Sequence, residues 1–161
     1  MLRSGDKVPD FTLPVAYADG RKDDVTFSSL LGAGPILISF FPLAFTRVCT
    51  TQMCDARDHA EEYARLGAQV FGFSCDSKWA NQRFAAEQGL VHGIFSDANR
   101  AVVDRIWETQ TTAGVERVPK RGYLVISADG VVVDAYITDV PGAPWVGHET
   151  IAAAIAKAAR A

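Results

Sequence analysis

The sequence is poor in cysteine, with three in 161 residues, and it has no lysine and arginine cluster, no apolar run of membrane length and no internal repeat. Three cysteines, Cys49, Cys54 and Cys75, are too few and odd in number for a disulfide framework. In a reducing compartment such thiols serve reactivity, metal binding or packing. A formal charge of -3 without a basic stripe argues against nucleic-acid and anionic-membrane partners, which need cationic surface to displace counterions. The apolar fraction of 48% and charged fraction of 22% predict a soluble globular chain. Met1 to Asp6 shows no apolar stretch before a small-residue cleavage site, so the cytosol is the expected compartment. Glycine and proline are scattered as single turn signals and none pool into a hinge, which predicts one domain over residues 1–161. A chain of this length buries roughly 70% of its unfolded surface, enough for a self-sufficient core.

What is present alternates between strand and helix patterns. After Pro9 to Leu13, Asp19-Gly20 marks a turn ahead of a short strand at Val25 to Phe27, an N-terminal hairpin. Pro35 to Pro42 is a β-branched and aromatic run bounded by prolines, which fits a central strand covered on both faces. Thr50 to about Leu66 reads as a helix with Met53, Ala56, Ala60, Tyr63 and Ala64 near one face, ending at Gly67. The alternation continues with a strand at Gln69 to Ser74, a helix near Trp79 to Gln88 closed by Gly89, a strand at Gly93 to Phe95 and a helix near Ala101 to Trp107. Tyr123 to Ile126 and Val131 to Tyr136 flank the turn Ala128-Asp129-Gly130, and an alanine-rich helix runs from about Glu149 to Arg160. The expectation is an α/β sandwich with a central mixed β-sheet flanked by helices.

One segment carries chemistry. Between Phe40 and Cys54 a buried strand empties through a short loop into a helix that begins at Cys49. A thiol at a helix N-terminus meets unsatisfied backbone N–H groups and the positive end of the macrodipole, and both favour the thiolate, the attacking species. Thr46 can place its hydroxyl near that sulfur, and the N–H groups of Val48 and Cys49 can hold an oxygen whose charge grows in a transition state. Pro42, with its fixed φ and no N–H, can wall one side of the sulfur. A thiolate also needs a cation, and Arg121, at the start of a strand in Val118 to Ile126, is the candidate because a guanidinium fork directs several donors at once.

Pro42, Thr46 and Cys49 follow the spacing Pro-x3-Thr-x2-Cys, which resembles the peroxiredoxin active-site motif. Arg121, two residues before Tyr123 on the next-to-last strand, is similar to that family's thiolate-stabilising arginine. Gly5 to Leu13 and Phe71 to Ser77 extend the resemblance over nearly the whole chain. It implies a thioredoxin-like fold and a thiol peroxidase with no cofactor, acting on hydrogen peroxide, organic hydroperoxides or peroxynitrite. Phe41 to Thr46 is similar to the one-cysteine alkyl hydroperoxidase E type. Cys49 to Asp58 is similar to the bacterioferritin-comigratory, or Q, type with its Cys-x4-Cys pair, and Cys54 favours the Q type. That type implies a Cys49 sulfenic acid, Cys54 as the resolving cysteine and recycling by a thioredoxin-like or other dithiol reductant. Two residues five apart on an ideal helix have Cα atoms roughly 8 to 9 Å apart, beyond disulfide span, so the helix start must unwind. The chain departs from the pattern at Gln52, where the family usually has glutamate, and a neutral amide cannot pair ionically with an arginine.

The remaining candidates read as structural. Cys75 ends an apolar strand as a small core residue. His59, His92 and His148 fall in separate elements without paired spacing, so no metal site is expected. Trp145, in the loop 141–147, is expected as a lid over the core. A thiol–disulfide oxidoreductase, a Cys49–His148 hydrolase and a non-catalytic interaction module are the rival readings. The first would want Cys-x2-Cys, the second lacks an oriented triad, and the third would be expected to lose Thr46, Cys49 or Arg121. Monomer and homodimer are equally compatible with the sequence.

Overall fold

The N-terminal hairpin pairs β1 (Thr12–Ala16) with β2 (Asp24–Thr26), and Gly20 takes the positive φ that its turn requires. A 3₁₀ turn at Phe27–Leu30 leads to β3 (Ile36–Phe40), every residue of which is buried. Then come α1 (Arg47–Asp58), α2 (Ala60–Arg65), β4 (Gln69–Ser74), α3 (Lys78–Gln88), β5 (Gly93–Ser96) and α4 (Val103–Ile106). The chain finishes with β6 (Thr109–Thr112), β7 (Val115–Pro119), β8 (Gly122–Ile126), β9 (Val132–Ile137) and α5 (His148–Ala159). These elements come from a computed structural model that describes residues 1–140 and 143–161, so Pro141 and Gly142 of the Trp145 loop lie outside the described residues.

Seven strands form one mixed sheet in the order β2-β1-β5-β4-β3-β8-β9, parallel across β5-β4-β3 and antiparallel elsewhere; β6 and β7 make a separate hairpin. Successive side chains on a strand face opposite ways. Accordingly Ile36, Ile38 and Phe40 of β3 join Leu124 and Ile126 of β8 in one core, while Leu37 joins Tyr123 and Val125 in another, under α5. The strand is therefore covered on both faces, as its composition predicts. Among the described residues no helix is long and apolar enough to cross a membrane.

Two expectations need correction, and one hairpin was not anticipated. The helix over 50–66 is two helices: α1 starts at Arg47, and a break at His59 (φ -109, ψ 15) shifts the phase, so Tyr63 is buried while Ala64 is exposed. The helix near 101–107 shrinks to four residues. Asp97 accepts the N–H groups of Ala101, Val102 and Val103, and Trp107 turns extended to stack on Phe40 with centroids 4.2 Å apart. The β6–β7 hairpin has no apolar alternation, and its turn places Ala113 and Gly114 at φ 49 and 76, a left-handed pair seldom built on alanine.

Gly122 begins β8 where no side chain fits: a Cβ there would stand 2.1 Å from the Tyr136 carbonyl oxygen and 2.6 Å from Trp107 Cζ2. Gly122→Ala is expected to cost about 3 kcal/mol and to lower the urea midpoint by about 1 to 2 M, by forcing apart packed backbone and indole. An unchanged midpoint in equilibrium urea unfolding would mean that the sheet edge yields without strain.

Candidate active site

The site forms where β3 ends. Phe41 N–H still bonds Phe73 O at 3.0 Å, and the chain then leaves the sheet through buried Pro42. Asp76 accepts the Ala44 N–H at 3.0 Å, and Phe45 takes φ 68, a left-handed conformation costly for a bulky residue, which reverses the chain before the helix. Thr46 is the N-cap in extended conformation, but its hydroxyl makes no cap bond. It donates instead to Leu43 O at 2.7 Å, which leaves its oxygen lone pairs free to accept. Cys49 is thus the third residue of α1, not its first, and the N–H groups of Arg47, Val48 and Cys49 have no partner within the helix.

Register brings the cation. β3 and β8 run antiparallel with Phe40 opposite Gly122, so Arg121 emerges at the same sheet end as the loop that leads to Cys49. Its Nη1 and Nη2 each lie 3.4 Å from Cys49 Sγ, and Nη1 also donates to Gln52 Oε1 at 2.7 Å. Gln52 is 1% exposed, and its Nε2 donates to Ser39 Oγ at 2.7 Å and Phe40 O at 3.0 Å. The amide therefore anchors the guanidinium to β3 with both of its ends bonded. Cys49 is itself 1% exposed, with the Arg121 guanidinium and the uncapped terminus of α1 beside its sulfur.

A pocket of about 210 Å³ opens over the sulfur, bounded by Pro42, Thr46, Val48 and Arg121. Its remaining wall includes Thr112 and Ala113 from the β6–β7 hairpin, which the sequence reading missed together with that hairpin. A second cleft of about 410 Å³ shares Arg47 and Val48 with it and continues past Thr51 and Asp55 to Trp145. Trp145 covers Tyr123 and Tyr136 edge-on, the lid position expected of it.

The other thiols differ. Cys54, on the same helix, is partly exposed; its S–H donates to Gln88 Oε1 at 3.5 Å, and Arg57 donates to Gln88 O at 2.6 Å. Cys75 is 8% exposed, and burial, aided by the Asp97 carboxylate, pushes its thiol up to about 12, so it stays protonated. All three cysteines are free. His92 is buried with both ring nitrogens unbonded among the described residues, and burial drives it down to about 4. His148 does not reach Cys49: its ring stacks on His59, and its Nε2 lies 3.7 Å from Glu62.

Comparison with known proteins agrees with this geometry. The AhpC/TSA family model matches residues 4–135. Peroxiredoxin Bcp of Escherichia coli is 30% identical over 138 residues, covering 81% of this chain and 83% of the relative. Among solved structures, peroxidoxin BcpB from Mycobacterium tuberculosis superposes with a TM-score of 0.84 at 30% identity and covers both chains fully. Peroxiredoxin Q of Xanthomonas campestris gives 0.71 at 26% identity over 89% of each chain. With a family model spanning most of the sequence and these relatives matched over most of their own length, the chain belongs to the AhpC/TSA family and is a Q-type peroxiredoxin, a thiol-dependent peroxidase.

Proposed function

We propose that Cys49 is the peroxidatic nucleophile and Cys54 its resolver. The Cys49 thiolate attacks one peroxide oxygen, the O–O bond breaks, and the leaving alkoxide or hydroxide takes a proton to depart as alcohol or water, leaving Cys49 as a sulfenic acid. The observation that carries this reading is the Arg121 fork, both nitrogens at 3.4 Å from the sulfur, beside uncapped N–H groups. Arg121 and the Val48 and Cys49 N–H groups stabilise charge growing on the oxygens, Thr46 accepts the peroxide O–H, and Pro42 limits water. The Cys54 thiol then displaces water from the sulfenic acid to form the disulfide, and a dithiol reductant of thioredoxin type restores both thiols.

The disulfide requires the first turns of α1 to open, because a regular helix holds the two cysteines too far apart. Thr50 and Thr51 support that opening: their hydroxyls bond the Thr46 and Arg47 carbonyls at 2.8 and 3.1 Å, competition that weakens a helix locally. One seven-stranded sheet with its flanking helices supports a single catalytic domain over residues 1–161, and its thiol chemistry fits a reducing, cytosolic setting.

Intact mass after one equivalent of hydrogen peroxide tests the assignment. The reduced wild-type chain should lose two hydrogens as a monomer, whereas Cys54→Ser should gain one oxygen. Oxygen gain in both would leave Cys54 to packing and make the chain a one-cysteine peroxidase.

A further inference from the structure

Asp55, His59 and His148 have no part in the chemistry above, yet the fold assembles them. Asp55 and His59 are one turn apart across the end of α1, and His148 opens α5. The two imidazoles stack with centroids 3.6 Å apart at 10°. His59 Nδ1 is 2.9 Å from the Asp55 carbonyl oxygen and 3.3 Å from Asp55 Oδ1. A carbonyl only accepts, so Nδ1 carries the proton and Nε2 keeps its lone pair, the tautomer that a backbone acceptor imposes on metal-binding histidines.

One ligand atom from each of the three residues falls within 4.8 Å of the others. Ligands of a tetrahedral ion with bonds of about 2.1 Å stand about 3.4 Å apart and each imidazole holds the ion in its own ring plane, so closure requires the half-buried His59 and His148 rings to turn out of their parallel stack. Asp55 Oδ2 is buried and makes no close hydrogen bond among the described residues, and burial raises the Asp55 carboxyl against the pull of His59, His148 and the Trp145 indole. A cation would satisfy that oxygen. Asp55, alone of the three, lines the cleft of about 410 Å³ beneath Trp145, which gives an entry path from that side.

We propose that Asp55, His59 and His148 form a binding site for a divalent d-block cation of the zinc type. Two imidazoles with one carboxylate suit zinc, cobalt or nickel better than the hard cations magnesium and calcium, which take oxygen. This proposal departs from the sequence expectation, which rested on the spacing among histidines and did not consider Asp55-x3-His59, the i,i+4 spacing that puts two ligands on one helix face. A cation here also fastens α1, one residue beyond Cys54, to α5. Zinc should therefore slow formation of the Cys49–Cys54 disulfide; that consequence rests on the proposed role of Cys54, whereas binding does not.

The test uses zinc chloride on the chain carrying Cys49→Ser and Cys54→Ser, so that those two thiols cannot chelate, with circular dichroism confirming its fold. Calorimetry should give one zinc per chain. The His59 and His148 ring resonances should shift by one equivalent while those of buried His92 stay in place. His148→Phe, which keeps a ring against His59, and Asp55→Asn should each weaken binding by about tenfold or more. Cobalt(II) on the wild-type chain should show ligand-field bands without thiolate charge transfer. No heat, silent His59 and His148 rings, or full affinity in His148→Phe would overturn the site. Binding together with an unaltered disulfide rate would keep the site and remove only its link to Cys54.

Discussion

Cys49→Ser is expected to abolish peroxidase activity, a fall of at least about 10⁴-fold in kcat/KM with the fold intact. The O–O bond is cleaved by a two-electron nucleophile, and a serine hydroxyl stays protonated even beside a guanidinium and a helix terminus, so everything that favours a thiolate is wasted on it. The substitution is nearly isosteric and its oxygen can still accept from Arg121, so the site should survive without its reacting atom. Stopped-flow peroxide consumption, with circular dichroism as the structural control, checks this. Residual turnover above the uncatalysed rate would move the nucleophile to another thiol. Cys75 is a poor alternative because burial keeps it protonated, and Cys54 lacks the two-pronged contact that Arg121 makes with Cys49.

Arg121→Met should lower kcat/KM by about 10² to 10³-fold, the scale expected when a preorganised donor to developing charge is removed from a sheltered site. Methionine fills much of the same volume, so the loss reports charge and directed hydrogen bonds more than packing. Arg121→Lys should recover only part of it. One ammonium cannot hold Gln52 Oε1 while aiming two donors at Cys49 Sγ, as the guanidinium does. Comparison of the three proteins at saturating reductant isolates the peroxide step. A loss under threefold in Arg121→Met would leave thiolate and transition-state stabilisation to the helix terminus alone.

Much of this architecture can be read from composition and punctuation. β3, β4 and β8 are apolar runs bounded by turn signals, and Gly89 closes α3 in left-handed conformation where a glycine was expected. The proposed nucleophile can be read because a thiol placed after a buried strand and before a helix has a physical consequence. Its pairing with Arg121 needed either a family pattern or the β3–β8 register, which local spacing does not encode. The β6–β7 hairpin stayed hidden because its strands are polar and its turn uses alanine. The break at His59 and the meeting of that residue with His148 are tertiary events, set by how α5 lies beside α1 and α2.

The residue that holds Arg121 is an amide, and an amide does not titrate. Where a carboxylate in this position would gain a proton in acid and loosen its hold, the link through Gln52 to Ser39 and Phe40 keeps the same donors and acceptors from acid to alkaline solution. The aim of the guanidinium is therefore pH-independent.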